Sequence, residues 1–129
     1  AEALVMIGAL GRVKVFAYCE PTDMRKGYEG LSGLVREAMG RDPLSGALFL
    51  FVNRRRTHAK VLHFDGTGLC VLAKRLEKGR FVALWEVAKD STLTLQRSEL
   101  ELFLRGSHLI GRFKVSPDDL CDKDLAARS

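Results

Sequence analysis

The stretch that decides the fold runs Ala47-Leu48-Phe49-Leu50-Phe51-Val52-Asn53-Arg54-Arg55-Arg56-Thr57-His58-Ala59-Lys60-Val61-Leu62-His63-Phe64-Asp65-Gly66-Thr67-Gly68. Ala47 to Val52 is apolar without interruption, the mark of a strand buried on both faces. Asn53 to His58 is polar and basic, and Ala59 to Asp65 resumes as a strand. The segment therefore reads as a hairpin whose tip or flanks carry Arg54, Arg55 and Arg56. Asp65-Gly66-Thr67-Gly68 is a second hairpin turn, its glycines supplying positive φ. Leu69 to Leu76 makes a third strand, and Glu77-Lys78-Gly79 turns the chain into a fourth, Arg80 to Glu86. Short strands joined by hairpins pair antiparallel.

Toward the N-terminus, Val13 to Tyr18 suggests a further strand, ended by Pro21. Thr22 and Asp23 are N-cap types, and Met24, Tyr28, Leu31, Val35 and Met39 follow at steps of four, three, four and four, a helical spacing. Gly27, Gly30 and Gly33 fall inside that pattern, each costing about 0.5–1 kcal/mol relative to alanine. Either they form a narrow stripe against a sheet or partner, or the helix begins later, near Glu29, with Gly27 in the preceding loop. Gly40 is a natural C′ residue. Toward the C-terminus, Val87 to Ser91 reads as a loop, Thr92 to Leu95 as a short strand, and Leu100, Phe103 and Leu104 as a short helix closed by Gly106. Ser116-Pro117-Asp118-Asp119 signals a helix start, but the residues after it are too polar to dock firmly. The expected architecture is α+β: an antiparallel β meander of four or five strands packed against one main α-helix, with a short C-terminal helix. One domain is expected over residues 6–115, with a C-terminal helix or loose tail over 116–129.

With 47% hydrophobic and 29% charged residues in 129, the chain is neither disordered nor fibrous and has material for one core. No apolar run approaches the roughly 18 residues of a membrane span. Ala1 to Leu10 is apolar but lacks a basic leading region, so no signal peptide is expected and the cytoplasm is the expected compartment. Met6 reads as a natural start, with Ala1 to Val5 an upstream extension. Cys19, Cys70 and Cys121 are odd in number and far apart, which is no disulfide framework. His58 and His63, an odd number of residues apart, point to opposite faces of one strand and share no metal. The charge is unevenly placed. Residues 54–80 hold 8 basic and 2 acidic side chains, whereas the whole chain nets only +5. Such concentration is typical of proteins that meet phosphate backbones, and also of a solvated basic face.

Several runs together carry a resemblance. Thr22-Asp23-Met24-Arg25-Lys26-Gly27, Asp42-Pro43-Leu44-Ser45-Gly46, the arginine hairpin, Asp65-Gly66-Thr67-Gly68-Leu69-Cys70 and Ala73-Lys74-Arg75-Leu76-Glu77-Lys78-Gly79-Arg80-Phe81 occur in the order found in one family. The chain resembles the Orf2-like (TnpB) proteins of the IS-sixty-six insertion-sequence family from about Met6 to Gly106. That likeness implies a bacterial, non-catalytic accessory protein encoded beside a separate transposase and needed for the element to move. It carries over no catalytic residues and implies no cofactor or metal.

The expected DNA-binding surface is a basic rim of Arg54, Arg55, Arg56, Lys60, Lys74, Arg75, Lys78 and Arg80, with Arg25 and Lys26 at the head of the main helix. Dispersed solubilising charge is the plainer reading. Asp23 is more simply a helix cap, and Arg25 has a second reading as partner to a carboxylate. Asp23, Asp65, Glu77 and Glu86 do not suggest a metal-dependent nuclease, because the charge around Asp65 is strongly positive. Phe49, Phe51, Phe64 and Phe81 read as core, whereas Trp85, near a strand end, is the aromatic best placed to stack a base. The alternative to a DNA-binding factor is a protein–protein adaptor for the transposase, with no direct DNA contact.

Overall fold

Five consecutive buried residues, Leu48–Val52, form the central strand of the sheet. Such a strand needs cover on both faces, and the chain on either side of it supplies that cover. The computed structural model describes residues 13–106 and the backbone of two further short strands. In chain order the elements are β1 (Val15–Tyr18), α1 (Tyr28–Glu37), β2 (Leu48–Val52), β3 (His58–Phe64), β4 (Leu69–Arg75), α2 (Leu84–Val87), β5 (Thr92–Leu95) and α3 (Arg97–Leu104). β6 (Leu109–Ile110) and β7 (Phe113–Lys114) form a separate antiparallel pair. The main sheet has the order β4-β3-β2-β1-β5. The α+β class holds.

The side chains divide by parity. Phe16, Phe49, Phe51 and Leu62 face α1, where they meet Leu31 and Val35. Val15, Ala17, Leu48, Leu50, Val52, Ala59 and Val61 face the other way, onto Phe81, Leu84, Leu100 and Phe103. Phe81 and Phe103 stack there with centroids 5.0 Å apart, and Phe16 and Phe49 stack at 6.0 Å on the α1 side. Phe49, Phe51 and Phe81 are thus core, as expected. α3 starts with the Glu99 carboxylate accepting the Gln96 backbone N–H at 2.7 Å, which satisfies a donor at the helix N-terminus.

Three expectations are corrected. First, the sheet is mixed rather than an antiparallel meander: β1 pairs parallel to β2, while β2–β3, β3–β4 and β1–β5 are antiparallel. The connection from β1 to β2 contains α1, which carries the chain back to the end where β1 began, and a crossover of that kind makes parallel neighbours. Second, residues 80–86 are not a strand. Phe81, Val82, Ala83 and Leu84 are all buried beneath the sheet as an irregular segment entering α2. A short apolar run reads the same whether it pairs in a sheet or fills a core. Third, α1 begins at Tyr28, after Gly27, and neither Thr22 nor Asp23 caps it. A Cβ on Gly27 or Gly33 would meet nothing within 4 Å, and one on Gly30 would meet the Lys26 side chain, so the glycines are not packed on the sheet. Tyr28, counted in the apolar pattern, is exposed. The expected tail over residues 116–129, Cys121 and the start at Met6 lie outside the described residues.

Phe49 is fully buried between α1 and the middle of the sheet. Phe49→Ala should lower the unfolding free energy by about 3–5 kcal/mol, from lost burial and the cavity left behind. Denaturant titration checks this. A loss below about 1 kcal/mol would mean that the site collapses without cost.

Candidate nucleic-acid interface

The parallel pairing of β1 and β2 brings three connections to one end of the sheet: the loop after β1, the β2–β3 turn and the chain after β4. Backbone hydrogen bonds tie them together. Thr22 N–H donates to the Val52 carbonyl at 2.9 Å, Leu76 N–H to Thr57 at 2.9 Å, and Phe81 N–H to Arg56 at 2.7 Å.

The β2–β3 turn is built on Asn53. Its Oδ1 accepts the backbone N–H groups of Thr57 at 2.9 Å and His58 at 3.1 Å. Its carbonyl accepts Arg56 N–H at 3.0 Å, and Arg56 sits in the left-handed region at φ 63°. The arginines sit on a turn whose backbone is already ordered, so a ligand meeting them would not have to order the loop.

Three recesses open around this end. One of about 500 Å³ is lined by Arg54, Arg55, Arg56, Arg80, Trp85 and Glu86, among others. A second, about 390 Å³, lies across the tip between Arg54, Arg55, Asn53 and the loop Pro21–Met24. A third, about 200 Å³, runs along Met24, His58, Lys60, Lys74 and Arg75. Lys60 Nζ donates to the Lys26 carbonyl at 2.8 Å, joining β3 to the approach to α1. Lys74 sits opposite Ala59 in the ladder and so on the face away from α1, while Arg75 sits opposite His58.

The cations named from sequence therefore fall into groups. Arg54, Arg55, Arg56 and Arg80 converge on the largest recess, and among the described residues no carboxylate forms an ion pair with any of them. Lys60 and Arg75 line the third recess from one face of the sheet, whereas Lys74, also at its edge, is directed to the other face. Arg25 is held by Asp23 at 2.7 Å and Arg75 by Glu77 at 3.0 Å, both on the exposed surface. The side-chain hydrogen bond from Arg25, helped by its backbone N–H, draws the Asp23 carboxyl down to about 2. Asp23 is thus the partner of Arg25 rather than a cap. Lys26 contributes its carbonyl, and Lys78, in the exposed turn after β4, lines none of the three recesses. Asn53 and Met24 were missed from the sequence. An asparagine at the head of a polar turn was the available signal for the first.

Asp65 lies at the opposite end of the sheet. Its Oδ1 accepts from the Thr67 and Gly68 backbones and the Thr67 hydroxyl, and these bonds, the Thr67 backbone first, hold its carboxyl at about 2. Cys70 beside it is exposed, its thiol pKa raised by desolvation and then by the Asp65 charge, which disfavours the reactive thiolate. Among the described residues no three His, Cys, Asp or Glu side chains gather as a metal site. No helix among them is long and apolar enough to cross a membrane.

A mixed sheet with helical cover on both faces and an arginine-tipped hairpin at one end defines a small α+β protein with its cations gathered at that end. The family model described as IS66 Orf2 like protein matches residues 13–112, and the chain belongs to that family. Membership ties it to insertion-sequence transposition in an accessory role. Two relatives in Sinorhizobium fredii (strain NBRC 101917 / NGR234) are similar. The uncharacterized protein y4hO is 37% identical over 94 residues, covering 73% of this chain and 80% of the relative. The uncharacterized protein y4jC is 32% identical over 101 residues, covering 78% and 85%. No solved structure matches the chain.

At Arg56 the left-handed backbone penalises any side chain, so Arg56→Gly should be more stable than Arg56→Ala by about 1 kcal/mol in denaturant titrations. Equal stabilities would mean that the turn relaxes. For Asp65, a folded value near 2 lies below the unfolded value of about 3.9. The charge thus stabilises the fold above pH about 4, an effect lost as pH falls through about 2. The melting-temperature gap between wild type and Asp65→Asn should be widest near neutrality and close across that window. A gap independent of pH would remove the charge from the account.

Proposed function

We propose that the protein is a non-catalytic DNA-binding factor acting in the cytoplasm on the insertion sequence's own DNA, with the separately encoded transposase as its partner. The observation that carries this reading is the convergence of Arg54, Arg55, Arg56 and Arg80 on one open recess without carboxylate partners among the described residues. Guanidinium groups bind phosphate oxygens bidentately, and each neutralised phosphate releases counterions to the solvent. Lys60 on one face and Lys74 on the other extend the positive charge along β3 and β4, and Lys26, Lys78 and the paired Arg25 and Arg75 complete the basic set. The β2–β3 turn and the chain after β4 hold their places through main-chain bonds, so the surface exists before DNA arrives.

The experiment is a salt series of DNA binding. Changing Arg54, Arg55 and Arg80 to alanine together should weaken binding and flatten the dependence of log affinity on log salt by roughly 0.9 for each duplex phosphate no longer neutralised. An unchanged affinity and slope would reject this surface, and copurification with the transposase after nuclease treatment would then favour the adaptor.

A further inference from the structure

We infer that the recess between the β2–β3 turn and α2 seats a single unpaired nucleotide, so that the DNA recognised has a single-stranded or opened stretch. This rests on the DNA-binding reading and names its substrate class. Phosphate binding alone accounts for Arg54, Arg55, Arg56 and Arg80, but the same recess is also lined by Trp85 and Glu86. Trp85 is the chain's sole tryptophan; it is half-buried and packed against the core beneath the sheet, so its position is fixed by the fold. An indole beside guanidinium groups is the combination that binds single strands, with a base stacked on the ring and cations on the backbone. In a duplex the base faces are already stacked, and the ring has nothing to take.

Glu86 is exposed and, among the described residues, forms no ion pair with the arginines around it. Next to phosphates alone a carboxylate would weaken binding. Next to an unpaired base it accepts a hydrogen bond from an exocyclic amino group, which cytosine carries and thymine lacks. The volume of about 500 Å³ lies in the range of about 300–1,000 Å³ that holds a ligand of nucleotide size.

Because Trp85 is the sole tryptophan, its fluorescence reports on this recess. The full chain is titrated with oligodeoxycytidine, oligodeoxythymidine and a blunt duplex of equal length. The single strands should quench the emission, oligodeoxycytidine at lower concentration, and the duplex should leave it nearly unchanged. Trp85→Leu should weaken single-strand binding about tenfold and spare duplex binding, with Trp85→Phe closer to wild type. Glu86→Gln should narrow the preference for cytosine over thymine. Absent quenching, together with wild-type single-strand affinity in Trp85→Phe and Trp85→Leu, overturns the nucleotide seat while leaving the basic surface standing. Should Trp85→Leu fail to fold, the wild-type emission decides alone: quenching by the single strands and not by the duplex supports the seat, and its absence overturns it. If Arg54, Arg55 and Arg80 together become alanine and both DNA forms still bind as before, the underlying DNA-binding reading fails instead.

Discussion

The double-sided burial of β2 is the constraint on which the structure depends. Leu48 to Val52 offers apolar side chains to both faces of the sheet, and neither face can be left wet. At about 25 cal/mol per Å² of apolar surface, each of these large side chains is worth on the order of 1.5–3 kcal/mol when fully covered. The chain before the strand supplies α1 for one face, and the chain after β4 supplies Phe81 to Leu84 and α3 for the other. Where the apolar run stops, at Asn53, the backbone leaves the core at once, and its polar groups are met by the asparagine side chain.

That arrangement explains why the charge sits at an end of the sheet rather than on a face. Both faces are used for cover, so cations concentrated in residues 54–80 are left the turns, the strand ends and the exposed edge of β4. The structure then sorts them. Arg25 and Arg75 are offset by neighbouring carboxylates, whereas the tip arginines and Arg80 are not. Exposed pairs such as Arg25–Asp23 contribute little to stability, and their effect is mainly to lower the local field. On the proposed reading, the unpaired group is where a polyanion would meet positive charge that no neighbouring carboxylate offsets. Membership in the IS66 Orf2-like family places such a surface in the setting of a mobile DNA element.

Much of the fold was legible locally. β2, β3, β4 and β5 follow from apolar runs, alternation and turn residues, and each lies within a residue or two of its expected span. α3, and the positive φ of Gly106 after it, also match. The misplaced segment, 80–86, has an unbroken apolar run like that of β2, and only its tertiary surroundings could say whether such a run pairs or packs. Trp85 stands near an expected strand end; the strand is absent, yet the residue lines the arginine recess. Asp23 reads locally as a cap and is in fact the partner of Arg25, because both roles call for the same residue type.

By itself the sequence determined the hairpin built on β2, the cations at its tip and the family to which the chain belongs, because these rest on residues close together along the chain. Only the tertiary structure decided that β1 runs parallel to β2. Strand direction depends on the path of the intervening helix and on pairing between distant residues, neither of which local periodicity records. That direction places the loop Pro21–Met24 beside the arginine tip; an antiparallel β1 would have sent it to the far end of the sheet. The burial of Phe81 to Leu84 beneath the sheet was settled in the same way, and it brings Arg80 and Trp85 to the hairpin.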